Sequence, residues 1–218
     1  MPLWMPDGDD GAPDPGAGRL GEAVVDRITR AIVEGELKPG DALPSEGQIA
    51  ARFGVSKPIA REALRDLAAI GVVHGQQGKV SRVRGIDARP LRRFYRIAVG
   101  TNARGMQEAV ELRRVIEHQV AGLAAERRSR TDLDMLDRIV AMLVATRGDI
   151  PRWIEADLAF HRHVAAMAAN RLLRFQIEAL EPLIREMMGR FNARETRGER
   201  EWRETLDRHL AVADAIRA

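Results

Sequence analysis

The sequence predicts a mostly α protein, with an N-terminal winged helix-turn-helix and a C-terminal all-α helical bundle. Three observations lead there. Residues 42–73 carry two short helical patterns joined by a Gly-containing turn. Two β-rich stretches, Val72–His74 and Lys79–Val83, follow around a Gly75-Gln76-Gln77-Gly78 loop. After residue 85 apolar residues recur at helical spacing and no strand pattern appears.

The elements follow in order. Residues 1–17 are rich in Pro, Gly and Asp and are expected to form a disordered tail. Leu20, Val24, Ile28 and Ala31 mark a first helix ending near Gly35, and Lys38-Pro39-Gly40-Asp41 reads as a turn. Ser45 can cap the next helix, with Gln48 completing a capping box. Its apolar face is Ile49, Ala50 and Phe53, and Gly54 stands at its C-terminus. Ser56 can cap the following helix, with Pro58 in its first turn, where a missing N–H costs little. Ala60, Ala63, Leu64 and Leu67 face inward there. Residues 18–85 are thus expected to form one DNA-reading domain. A basic linker, 86–104, follows, partly helical around Leu91–Val99.

From Met106 onward five helices are expected, forming an all-helical domain over 105–218. The first packs through Val110, Val115, Ile116, Val120, Leu123 and Ala124. Leu133, Leu136, Ile139, Val140 and Leu143 pack the second, with Thr131 as its cap. Pro151 opens the third, which holds Trp153, Ile154, Leu158 and Phe160. The fourth, Arg171–Phe191, contains Pro182 and should kink there. Glu199–Ile216 is the fifth.

Composition narrows the function classes. Aromatic residues make up 4% of the chain, which disfavours stacking platforms for single-stranded nucleic acid. With no Cys, disulfides and thiolate zinc sites are excluded. No apolar run is long enough to span a membrane, no secretory signal is visible, and the cytoplasm is the expected compartment. Net charge is +3, unevenly distributed. Residues 1–17 carry four Asp and no Lys or Arg, while residues 18–85 carry eleven basic and eight acidic side chains. Residues 86–104 carry five Arg and one Asp, and 105–218 carry nineteen of each sign. The positive excess therefore lies in the N-terminal half, as a nucleic-acid-reading module would require.

Lys57, Arg61 and Arg65 recur at i, i+4, i+8 and form one outward stripe. On an isolated helix this is a solvated face. On the second helix of a helix-turn-helix it suits the major groove of double-stranded DNA. Gly78 at the hairpin tip could serve as a turn residue, or could let a wing approach the minor groove with Gln77 and Lys79 on sugar or phosphate. Asp157 and His161, at i, i+4, can reach one point. Taken alone, the spacing fits a surface Asp–His pair better than a metal site. His163, two residues on, points elsewhere, and His118 has no partner at helical spacing.

Gly35, Leu43-Pro44-Ser45-Glu46, Gly54-Val55-Ser56, Arg61-Glu62-Ala63-Leu64, Gly71 and Gly78 together resemble the DNA-binding signature of the GntR-type bacterial transcription regulators. The second half resembles the helical FCD effector domain of their FadR-like branch. Glu111-Leu112-Arg113 with Glu117, Asp157-Leu158-Ala159-Phe160-His161, Asn170 and His209 fall in that domain's order. Two positions depart from the pattern: Gly47 and Lys57 stand where the family often has Arg. A further metal-ligating His is usual beyond the position of His209. This chain ends at Ala218 without it, so either the helical domain is truncated or the site is incomplete.

The resemblance implies a homodimer on operator DNA, contacted through Ser56, Lys57, Pro58, Arg61, Arg65 and the wing residues Gln77, Gly78 and Lys79. It implies a small carboxylate effector met by Arg113 and Asn170. It also turns Asp157, His161 and His209 into candidate ligands for a divalent zinc, nickel or manganese ion. Arg113 fits a salt bridge as well as an effector clamp, and Asn170 fits a helix C-cap as well as a pocket hydrogen bond. A metal-dependent helical-bundle enzyme and a ligand-independent architectural DNA binder are the alternatives. The first lacks a visible nucleophile–base pair; the second requires Arg113, Asp157 and His161 to lie in solvent.

Overall fold

The computed structural model describes residues 17–75, 80–194 and 199–218. They divide into two compact units, with the boundary between Pro90 and Leu91.

In the first unit, α1 (Ala17–Val33) packs on α3 (Lys57–Ala69), and α2 (Glu46–Phe53) joins them through a tight turn. The capping chemistry is local and as expected. The Ser45 side chain accepts from the Gln48 N–H, and the Gln48 side chain returns to the Ser45 N–H. Gly54 ends α2 at φ 63°, in the left-handed region that disfavours a Cβ. The Ser56 side chain accepts from the Ile59 N–H, and Pro58 sits in the first turn of α3. Val24, Ile28, Ile49, Ala60 and Leu67 are fully buried and fuse the three helices into one core.

The strands are shorter than expected. β1 is Val73–His74 and β2 is Arg82–Val83, antiparallel, with Val73 opposite Val83. Residues 80 and 81 do not join the strand. Ser81 and Val83 instead bond back to the segment after the Lys38–Asp41 turn: Leu43 N–H donates to Ser81 O at 2.8 Å, and Val83 N–H donates to Asp41 O at 2.9 Å. That segment thus serves as a third edge, which the apolar pattern does not reveal. The expected wing tip, Gln77, Gly78 and Lys79, lies outside the described residues.

The second unit is all-helical among its described residues: α4 (Arg89–Gly100, from its third residue on), α5 (Gly105–Arg127), α6 (Arg130–Ala145), α7 (Ile150–Met167), α8 (Arg171–Arg194) and α9 (Glu199–Arg217). Trp153, Leu136, Leu143, Phe160 and Ile216 are fully buried between α5, α6, α7 and α9. Trp153 meets Trp202 edge to face at 5.0 Å.

Three sequence expectations need correction. Ser129, not Thr131, caps α6; it forms a capping box with Asp132. Val110 and Val115 do not pack: they are 38% and 69% exposed, and the buried stripe of α5 runs through Ala109, Arg113, Ile116, Val120 and Ala124. Asn170 caps the start of α8 rather than a helix C-terminus: its Oδ1 accepts from the N–H groups of Leu172 and Leu173. The basic connector is partly helical, as expected: α4 covers the predicted Leu91–Val99 and packs on α8. Tyr95 hydroxyl bonds Gln176, and Tyr95 and Val99 pack near Leu180. Pro182 lies inside the continuous helix α8 and cannot donate to the carbonyl of Glu178. Arg92 Nη2 of α4 approaches that same carbonyl at 3.4 Å.

Candidate functional site

In the first unit α3 presents Lys57, Arg61 and Arg65 outward, all exposed. The buried stripe Ala60, Ala63, Leu64, Leu67 fixes that face, since a helix with this inward side must turn the cations to solvent. Ser56 and Pro58 stand at the N-terminal end of the same helix. The side chains are not equivalent. Arg65 pairs with Glu62 on its own helix at 3.3 Å. Arg61 is held across the turn by Glu46 at the first position of α2, with Nη2 2.9 Å from Oε2. The Arg61 hydrogen bonds hold the Glu46 carboxyl below its ordinary range, with Arg65 and Lys57 adding to the effect.

In the second unit a polar cluster is buried among α5, α7 and α9. Asp157 and His161 lie one turn apart on α7, and His209 comes from α9. One ligand atom from each falls within 4.8 Å of the others. Asp157 is 6% exposed and His209 8%, while His161 is half-buried. Phe160 and Trp153 wall the His209 ring at 5.0 and 6.1 Å.

Outer contacts set which nitrogen of each ring faces the cluster. His209 Nδ1 is 2.8 Å from the carbonyl of Thr205, one turn earlier on α9. A carbonyl can only accept, so Nδ1 carries the proton and a neutral His209 directs its Nε2 lone pair at Asp157. Nε2 is 3.0 Å from Asp157 Oδ1, yet it lacks a partner in hydrogen-bonding geometry. The approach is close but off the direction a ring N–H needs. His161 repeats the arrangement. Its Nδ1 lies 2.7 Å from Glu117 Oε1, and its Nε2 lies 3.9 Å from Asp157 Oδ2. Two imidazoles held through Nδ1, with Nε2 turned to a buried carboxylate, match the donor set of a divalent cation.

Without an ion, the electrostatics favour ionised carboxylates and a protonated His209, so a bound cation would displace that proton. Burial would raise the Asp157 carboxyl, but His209, His161 and Arg113 outweigh it and hold it below the usual range. Burial likewise opposes ionisation of Glu117, and His161 and Arg113 override it. Burial would lower the His209 imidazole; the Asp157 carboxylate reverses this and raises it. Arg113 is buried and donates from Nε to Glu117 Oε1 at 2.5 Å. His163 bonds the carbonyl of Asp132 at 2.8 Å, away from the cluster.

A cavity of about 590 Å³ opens on this cluster between α5, α7 and α9. Glu117, His161 and His209 line it with Val120, Phe160 and Val212. Its cationic lining comes from Arg114 and Arg208, and His118 also borders it. Arg113 and Asn170, the expected effector residues, do not line it.

Residues 20–83 match the family described as bacterial regulatory proteins, gntR family, and residues 108–218 match the FCD domain. The chain belongs to the gntR family. Its relatives include the HTH-type transcriptional regulator LutR of Bacillus subtilis (strain 168), 32% identical over 76% of this chain and 74% of that protein. The galactonate operon transcriptional repressor of Escherichia coli (strain K12) is 26% identical over 90% of this chain and 86% of that protein. Among solved structures, Streptococcus agalactiae GntR superposes with a TM-score of 0.64 at 24% identity, covering 90% of this chain and 89% of that one, which shows the shared fold. As a gntR-family member with an FCD domain, the protein is a transcription regulator and not an enzyme. No helix among the described residues is long and apolar enough to cross a membrane.

The roles of Glu46 and Glu117 become visible only in the structure. Glu46 meets Arg61, 15 residues away on another helix, and Glu117 meets His161 of α7 as well as Arg113 one turn away on its own helix. No local spacing encodes the cross-helix contacts of Glu46 with Arg61 and of Glu117 with His161.

Proposed function

We propose that this gntR-family regulator binds operator DNA as a homodimer and that a small carboxylate, bound in the helical unit, controls that binding. Ser56, Lys57, Pro58, Arg61 and Arg65 would meet the DNA, with the wing residues Gln77, Gly78 and Lys79 in support. The observation that carries the effector half is the cluster of Asp157, His161 and His209, of which His161 and His209 line the cavity.

Asp157, His161 and His209 would hold a divalent cation, zinc, nickel or manganese. When bound, such an ion supplies Lewis-acid affinity for a carboxylate oxygen. Three protein ligands leave positions free for that oxygen. The cavity arginines Arg114 and Arg208 complement the effector's charge. Arg113 holds Glu117 instead and acts on the effector only through it. The relative named for a galactonate operon gives the same chemical class, since galactonate is a carboxylate.

The test is elemental analysis after dialysis against zinc, nickel or manganese, then calorimetry of small carboxylates on loaded and stripped protein. The expected result is one ion per chain, with carboxylate binding weakened on stripping. A wild-type protein that retains no more metal than the His161→Ala, His209→Ala double variant would overturn the reading.

A further inference from the structure

We infer that Glu46 is a specificity-determining residue of the DNA-reading face: it fixes the Arg61 guanidinium so that its outer edge reads one base. The inference rests on the proposed operator contact by α3, and it concerns a carboxylate that belongs to α2.

The geometry is specific. Arg61 Nε lies 3.1 and 3.0 Å from the two Glu46 oxygens, and Nη2 lies 2.9 Å from Oε2. A guanidinium carries five N–H donors in a fixed plane. Glu46 therefore takes the side edge formed by Nε and Nη2. The end edge, formed by Nη1 and the second N–H of Nη2, stays free. Two parallel donors on that edge match O6 and N7 of guanine in the major groove.

The neighbouring cations make this edge the discriminating one. Lys57 is a flexible point charge without a fixed planar pair of donors, so its geometry discriminates less between bases. Arg65 is 69% exposed and pairs with Glu62 on its own helix. Position 47 offers no side chain at all, and the Lys57 Cε lies 3.5 Å from where a Cβ would be. Arg61 alone of the three is buttressed from a second helix, and a planar group held on one edge loses less freedom when it binds.

Glu46 also has an electrostatic effect. It places a negative charge among Lys57, Arg61 and Arg65, all of which act on its carboxyl. A carboxylate there opposes indiscriminate approach to phosphates, whose attraction is independent of sequence. Its net effect is to favour the correct base over DNA in general.

The experiment selects sequences from a random double-stranded DNA pool with full-length wild type, Glu46→Gln, Arg61→Ala and the double variant. Circular dichroism confirms folding, and Gln keeps the size of Glu at a partly exposed site. Wild type should enrich a motif with guanine at one position of each half-site. Arg61→Ala should lose that preference. Glu46→Gln should weaken it at the same position by about five- to tenfold while other positions hold, a part of the discrimination that a good bidentate contact supplies. Affinity for random-sequence DNA should not fall in Glu46→Gln, and the double variant should match Arg61→Ala. A Glu46→Gln motif identical to wild type overturns the inference and leaves the operator reading standing. So does a loss spread evenly over all positions. If wild type enriches no motif, the operator reading itself fails, and the inference with it.

Discussion

Glu117 accepts from His161 Nδ1 on one side and from Arg113 Nε on the other, both through Oε1. It would not touch the ion, yet it decides which imidazole nitrogen faces Asp157. A carboxylate in that position raises ligand basicity and fixes the ring, and its loss typically costs ten- to a hundredfold in metal affinity. Glu117→Gln should therefore weaken zinc binding by about ten- to a hundredfold while the protein remains folded. Competition with a chromophoric chelator measures the affinity, and nitrogen NMR of the imidazoles reports whether Nδ1 of His161 keeps its proton. Unchanged affinity and an unchanged tautomer would remove Glu117 from the site. Sequence spacing brings Asp157 and His161 together because they share a helix. The gap from Asp157 to His209 crosses two helix connections, and no period measures that distance. Only the family resemblance joined the three.

The elements were legible where their determinants are local. Ser45 with Gln48, and Ser56 with Pro58, set the boundaries of α2 and α3 from within a single turn. The α6 start was misplaced because Ser129 and Thr131 are both capping residues two positions apart; Asp132 decides in favour of Ser129 by completing the box. The buried face of α5 was misjudged because Arg113 occupies it. A charged residue breaks the apolar pattern even though Glu117 and the charge of Asp157 make its burial tolerable. The α4–α5 junction yields a further prediction. A Cβ on Gly105 would sit 2.7 and 2.8 Å from Val99 Cα and C, and closer still to the Val99 carbonyl oxygen. Those atoms are backbone and cannot swing aside. Gly105→Ala should destabilise the protein by about 1–3 kcal/mol or more, as overpacking does. Gly189, inside α8, meets nothing within 4 Å, so Gly189→Ala should stabilise by about 0.5–1 kcal/mol through helix propensity. Urea midpoints of the two variants should move in opposite directions with unchanged slopes. Equal shifts would mean that the α4–α5 turn is not constrained by this contact.

At the scale of the whole molecule, charge separates the two functions. The positive excess lies in residues 18–104, whereas residues 105–218 balance nineteen charges of each sign. A basic reader with a single recognition helix contacts one half-site, and one such contact is weak and poorly selective. Two readers related by a twofold axis, about 34 Å or one helical turn apart, convert that into specific binding. The electroneutral helical unit can associate without the repulsion that two basic modules would feel, so it is the part expected to carry the twofold contact. We therefore expect light scattering at micromolar concentration to give twice the 24.2 kDa chain mass, and a selected palindromic duplex to bind two chains. The dimer should persist in salt high enough to release DNA, because protein–DNA affinity falls steeply with salt while an electroneutral contact does not. A monomer that binds the duplex one to one would show that the half-sites are not read together. A dimer that dissociates at the same salt as the DNA would place the contact among the basic residues of the N-terminal half instead.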